Sequence, residues 1–236
     1  METHPHTLTA FDDERDALRA LIGRMGGHAE HALREALRCM MEHDINGAAT
    51  VVEADHALDA METEAERQAL ELIARRAPMA DDLREVFAAL KISAVIERIG
   101  DYAKNIAKRV PQFDRLPDIE PVALLPEMAR VAADLVRDAL DAFVARDAGK
   151  ATSVCNADKL VDDFYNAIFR ALLTYMMENP HNIGPATHML FAAKHIERIG
   201  DHATNIAEMV YFAATGERIG DRPRGADPAS APLPGE

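Results

Sequence analysis

Apolar residues recur along most of this chain at the three-and-four spacing of helices with one buried face. Leu18, Leu21, Ile22, Met25, Leu33, Leu37 and Met40 predict a first helix from about Thr9 to Glu42, weakened and bent in its middle by Gly26-Gly27. Asp44, or the neighbouring Asn46-Gly47, opens a second helix that runs to about Arg76. Pro78 marks a turn, and Asp81-Asp82 cap a third helix that reaches Val110. Pro111, Pro117, Pro121 and Pro126 then fall within sixteen residues, a density that predicts a connection rather than a helix. Beyond them the pattern resumes. A fourth helix runs from about Pro126 to Arg146 and ends at Gly149, a fifth from about Ala151 to Glu178, and a sixth, after a turn at Asn179-Pro180, from about Pro185 to Ala214.

The two sets of three are copies. Glu97-Arg98-Ile99-Gly100-Asp101-Tyr102-Ala103-Lys104-Asn105-Ile106-Ala107 returns 100 residues later as Glu197-Arg198-Ile199-Gly200-Asp201-His202-Ala203-Thr204-Asn205-Ile206-Ala207, with nine of eleven positions identical. An internal duplication explains this. A third Glu-Arg-Ile-Gly-Asp, Glu217 to Asp221, meets Pro223 with no apolar stripe behind it, and reads as coincidence. The fold class is therefore all-α, a tandem repeat of two antiparallel three-helix bundles. The first spans residues 8–110 and the second 126–216; residues 111–125 form the proline-rich linker and 217–236 a disordered tail.

Composition narrows the function. Helix formers dominate and there is no Trp. The formal charge of −14, from 26 basic and 40 acidic residues, opposes binding to nucleic acid. Cys39 and Cys155 form no CxxC and no disulfide framework, and neither a signal peptide nor an apolar run near 18 residues is present, so the expectation is a soluble cytoplasmic chain without direct membrane insertion.

The acidic residues carry the candidate chemistry. At about 100° per residue, Ile96, Ile99, Ala103, Ile106 and Val110 share one arc of the third helix, with Glu97, Asp101 and Asn105 roughly opposite. The second helix offers Asp55 and Asp59 with Glu62 and Glu66 extending the row; they flank a predicted buried stripe of Ala54, Leu58, Met61 and Ala65. The fifth offers Asp158 and Asp162, and the sixth Glu197, Asp201 and Asn205. Height follows from distance to the turn. Asp59 with Glu97, and Asp55 with Asp101, are symmetric about Pro78; Asp162 with Glu197, and Asp158 with Asp201, are symmetric about the Asn179-Pro180 bond. Each hairpin should thus hold four carboxylates level on adjacent helices. Such a group repels itself unless cations sit within it, basic side chains reach in, or the acids spread into water. An oxygen-only set suits Mg, Mn, Ca, iron or zinc. Lys104, Lys108 and Arg109 lie near the first row, where the second has Thr204, Glu208 and Met209, so the second half should hold cations more firmly. The single Glu53-x-x-His56 is too little for a di-iron bundle site. His28 and His31 read as polar surface, Ser93 and Ser153 have no evident triad partners, and no glycine-rich phosphate loop exists.

The run Lys194-His195-Ile196-Glu197-Arg198-Ile199-Gly200-Asp201-His202-Ala203-Thr204-Asn205-Ile206-Ala207-Glu208-Met209-Val210 closely resembles the third-helix signature of the PhoU family of bacterial phosphate-signalling accessory proteins. The Asp81-Asp82-Leu83-Arg84 helix start and the Thr215-Gly216-Glu217 ending are similar too, and the likeness covers about residues 8–217. The resemblance implies tandem three-helix bundles whose E/DxxxD motifs, in some members, hold multinuclear iron or zinc clusters. Those motifs map onto Asp55/Asp59, Glu97/Asp101, Asp158/Asp162 and Glu197/Asp201. Tyr102 and Lys104 depart from the second copy. The resemblance further implies a non-enzymatic negative regulator of phosphate uptake and of the phosphate-starvation response. Its expected partners are the ATPase subunit of the phosphate ABC transporter, the phosphate sensor histidine kinase and, as a homodimer, a second copy. The rival from the residues themselves is a metal-dependent phosphohydrolase or metal store using the carboxylates directly; a plain helical scaffold with solvated acids is the third.

Overall fold

The structure, a computed structural model, describes residues 5–112 and 120–219. It contains α1 (Pro5–Glu42), α2 (Ile45–Arg76), α3 (Asp81–Ala107), α4 (Glu120–Ala145), α5 (Ala148–Ala157), α6 (Lys159–Glu178) and α7 (Ile183–Thr215), with no strand among the described residues. Two turns use the same device. His43 and Arg146 take left-handed backbone (φ 56° and 54°), and the aspartates that follow, Asp44 and Asp147, accept the amides of Gly47 and Lys150, each at 2.9 Å. Each aspartate thereby satisfies an amide that the first helical turn leaves unbonded.

Several expectations need correction, the capping of α3 by Asp81 and Asp82 among them, since its N-cap is Ala80 and no side chain caps it. α1 runs helically through Gly26-Gly27; Gly26 serves packing, because a Cβ there would collide with Leu140 of α4, whereas Gly27 faces open space. α4 begins at Glu120 and carries Pro126 inside it, because Leu125 and Met128 are fully buried and hold those turns in place. The expected helix from Ala151 to Glu178 is divided at Asp158, where the Val161 amide bonds to the Asp158 carbonyl three residues back at 2.8 Å and one turn tightens. Of the expected linker, residues 113–119 lie outside the described residues, as does the tail from 220 onward.

α1, α2 and α3 form one bundle, and α4, α5–α6 and α7 the other; the bundles join where α1 packs on α4 and α3 on α7. α3 and α7 run antiparallel, since Arg84 lies beside Gly216, Tyr102 beside His195 and His202, and Arg109 over Phe191. The predicted inner arc of α3 is fully buried, as are its counterparts Ile196, Ile199, Ala203, Ile206 and Val210. On α2 the buried line is Val51, Leu58, Ala65 and Leu72, a seven-residue step; Ala54 is exposed and Met61 half-buried, so that stripe is rotated from the expected one. A charged group also enters the core: Glu85 of α3, 3% exposed, pairs with Arg19 of α1 and, at 3.3 Å, with Arg146 beyond α4. The hairpin turns carry exposed apolar residues at opposite ends of the α3–α7 seam, Met79 (81% exposed) at one and Met177 (87%) at the other.

Candidate functional site

Of the carboxylates expected level on adjacent helices, Asp55 and Asp101 are held side by side. In the first bundle Asp55 and Asp101 both accept from the Lys104 ammonium, which fixes them side by side. The repeated glycine makes this approach possible, since a Cβ at Gly100 would strike Leu58 and would stand 3.7 Å from Asp55 Oδ1. At Gly200 the same atom would lie 3.0 Å from Asp158 Oδ1 and 3.3 Å from Val161 Cγ1. Glycine in the Glu-Arg-Ile-Gly-Asp run thus seats the middle helix of each bundle at the height of its aspartate.

The rows are not turned fully outward. Asp55 is 7% exposed in its side chain, and Glu97 and Asp101 are half-buried at the α2–α3 seam. Burial, then the charges of Asp101 and Glu62, push Glu97 up to about 7. Glu62 is raised as well, by burial and then by Glu66 and Asp59. Asp59 itself is 50% exposed, with His56 Nδ1 at 3.6 Å, so Glu62 and not Asp59 is the α2 carboxylate whose charge acts on Glu97. Burial also works on Asp101, but the Lys104 ammonium outweighs it and holds that carboxyl below its usual range. Asn105 is half-buried.

In the second bundle Thr204 replaces Lys104 and donates to the Asp201 backbone carbonyl at 2.7 Å instead of reaching across. Asp162 is raised by burial and then by Asp201. Glu197 is raised by burial, with Asp201 and Asp162 adding to it and Lys194 opposing. Lys194 donates to Glu197 Oε1 at 2.9 Å, while Oε2 is enclosed with no hydrogen-bond partner. Lys194 is the neutralising cation that the comparison of the two rows overlooks. Its spacing of three before Glu197 was the available signal; the first copy has Ala94 there. Conversely Arg109 does not serve the first acidic row, because it turns toward α7, where its Cζ lies 4.4 Å from the Phe191 ring centroid. Asn205 also faces away from the acids, its Nδ2 3.4 Å from His202 Nδ1.

No three His, Cys, Asp or Glu side chains among the described residues converge closely enough to hold a metal ion as placed. The donor chemistry nevertheless differs between the copies. A cation between Asp55 and Asp101 meets an ammonium already there, whereas the Asp158, Asp162, Glu197 and Asp201 set keeps an enclosed Glu197 oxygen with no hydrogen-bond partner among the described residues and two acids raised by burial first and by neighbouring carboxylates after it. Oxygen donors of this kind are the type that hard or borderline cations take, and in the first set Lys104 already occupies the space between two of them.

The remaining candidates carry no chemistry. Ser93 and Ser153 donate to the Leu90 and Gly149 carbonyls, and Cys39 and Cys155 are buried cysteines outside any disulfide. His28 and His31 rim a groove of about 230 Å³ between α1 and α2, which Ala32, Glu35, Val51 and Leu58 also line. In the second bundle the buried Leu135 stands at the position of Ala32, and Lys150, at the position of Gly47, is paired to Asp138 and Asp141 at 3.0 and 2.9 Å. No helix of the described residues is long and apolar enough to cross a membrane.

Comparison with known proteins agrees with the duplicated architecture. The PhoU domain profile matches twice, over residues 22–110 and 125–210. The phosphate-specific transport system accessory protein PhoU homolog of Zymomonas mobilis is 53% identical over 222 residues, 94% of each chain. The crystal structure of PhoU from Pseudomonas aeruginosa superposes with a TM-score of 0.83 at 35% identity, covering 88% of this chain and 100% of that one. The phosphate transport system regulatory protein PhoU from Streptococcus pneumoniae gives the same TM-score at 28% identity over 89% and 99%. With both domain matches in register with the two bundles, this chain belongs to the PhoU family.

Proposed function

We propose that this chain is a negative regulator of phosphate uptake and of the phosphate-starvation response. It acts from the cytoplasm as a helical adaptor between the phosphate ABC transporter ATPase and the sensor histidine kinase. The observation that carries this reading is the end-to-end likeness to a phosphate-specific transport accessory protein, 53% identical over 94% of both chains. The architecture supports it: long packed helices present extended outer faces, and neither Ser93 nor Ser153 has a catalytic companion. Deleting the gene should release the starvation genes in phosphate-rich medium. Their continued repression would remove the proposal.

Metal binding belongs to the same reading, with iron or zinc on the second acidic set through Asp158, Asp162, Glu197 and Asp201. A bound cation would add to the positive charge that Lys194 brings to Glu197. Elemental analysis of protein purified without chelator or affinity-tag nickel should show Asp201→Asn losing more metal than Asp101→Asn. Equal losses would refute the asymmetry.

A further inference from the structure

The seam between α3 and α7 holds cationic groups that no carboxylate among the described residues answers. Arg109 lies stacked on Phe191, its Nε enclosed without a hydrogen-bond partner, and no side-chain hydrogen bond or ion pair to it occurs among the described residues. Burial depresses its guanidinium pKa and no acid lifts it back. One turn along α7, His195 stacks on Tyr102 at 5.6 Å between ring centroids, with both ring nitrogens enclosed and unpartnered. Arg198 leans over the Tyr102 ring at 5.8 Å and has no ion pair among the described residues. Its counterpart Arg98 behaves differently, lying 3.8 Å from Glu97 and 4.0 Å from Asp101. Phe191, His195 and Arg198 follow one another at i, i+4 and i+7 on α7, and burial, then the charges of Arg109 and Arg198, hold the His195 imidazole below its usual range. In a chain of net charge −14 such a concentration of unanswered donors is out of keeping with its surroundings. Buried donors normally find partners, and uncompensated like charges normally separate. The C-terminal end of α3 offsets part of the charge on Arg109 but offers its guanidinium no acceptor in the contacts described.

From this juxtaposition we infer that the α3–α7 seam is a binding site for a small oxyanion of the phosphate class, with Arg109 as its principal ligand and His195 and Arg198 completing it. The guanidinium fork matches a tetrahedral oxyanion, and Phe191 holds the plane of the fork. Phe191 is itself exposed, so the site opens to solvent. Nothing in the inference requires the adaptor reading, and gene deletion does not test it.

The test is titration of the full chain with inorganic phosphate at constant ionic strength, followed by calorimetry and by thermal shift, with and without EDTA. Saturable binding that survives EDTA is expected. Arg109→Gln should weaken it about tenfold or more and Arg109→Lys by less, since the charge is kept and the fork lost. Arg198→Gln should also weaken binding, which keeps the test decisive if the Arg109 variants fail to fold. Arg24→Gln, an exposed position on α1, should leave it unchanged. Absence of saturable binding would overturn the site. Binding abolished by EDTA, or undiminished in both Arg109→Gln and Arg198→Gln, would overturn it as well.

Discussion

At the scale of single residues, the two copies diverge by substitutions that keep the frame and change the charge. Lys104 against Thr204 decides whether a pair of aspartates is bridged from within, and Ala94 against Lys194 moves the neutralising ammonium to the other end of the row. Asp44 shows what a conserved frame position does energetically. The Gly47 amide, then Arg38, hold its carboxyl below the usual range. A carboxyl depressed in the folded state contributes stability that is complete above its unfolded value and is lost as the pH falls through the folded one. Asp44→Asn keeps an oxygen for the cap and removes the charge. Its melting temperature should therefore fall below that of the parent at pH 7, and the gap should narrow progressively as the pH is lowered below the usual carboxylate range. A gap independent of pH would show that the charge contributes nothing. Asp44 is legible in the sequence because a cap needs only its own neighbours. The direction of Arg109 is not, because it depends on Phe191, eighty-two residues away in the chain.

At the scale of elements, periodicity locates the helices well and their interruptions poorly. The α3 and α7 arcs follow directly from the spacing of isoleucine and alanine. The stripe on α2 is misplaced because several small residues fit two neighbouring arcs equally, and packing against α1 and α3 chooses between them. The tightened turn at Asp158 and the persistence of α4 through Pro126 also come from tertiary contacts, against local preference. Comparing equivalent elements predicts a stabilising change. Ala32 lines the groove between α1 and α2, and the matching residue of the second bundle is the buried Leu135. Ala32→Leu should fill part of that groove and add about 1 kcal/mol, a rise of roughly 2–4 °C on thermal denaturation. A lower melting temperature would mean that the groove walls cannot accept the larger side chain.

At the scale of the whole molecule, the duplication was legible from one repeated string, and so was the meeting of Asp55 with Asp101, since hairpin symmetry needs only a turn and a count. The way the bundles join was not, because it rests on contacts between chain segments with no common sequence signal. Glu85 is the clearest case: it reads as one more acid in a helix, yet it is buried between arginines from both bundles. Removing one member of a buried ionic group strands the others. Glu85→Gln should cost about 3 kcal/mol in urea unfolding, and the transition should lose sharpness as the bundles uncouple. A cost below about 1 kcal/mol would show that water already screens the group. The antiparallel seam has a last consequence for reach. Because α3 and α7 point in opposite directions, the hairpin turns bearing Met79 and Met177 stand at the two poles of the molecule. At 1.5 Å of rise per residue that separation is on the order of 50 Å. Two bodies of ordinary protein size can therefore hold the molecule at the same time, one at each pole, without colliding.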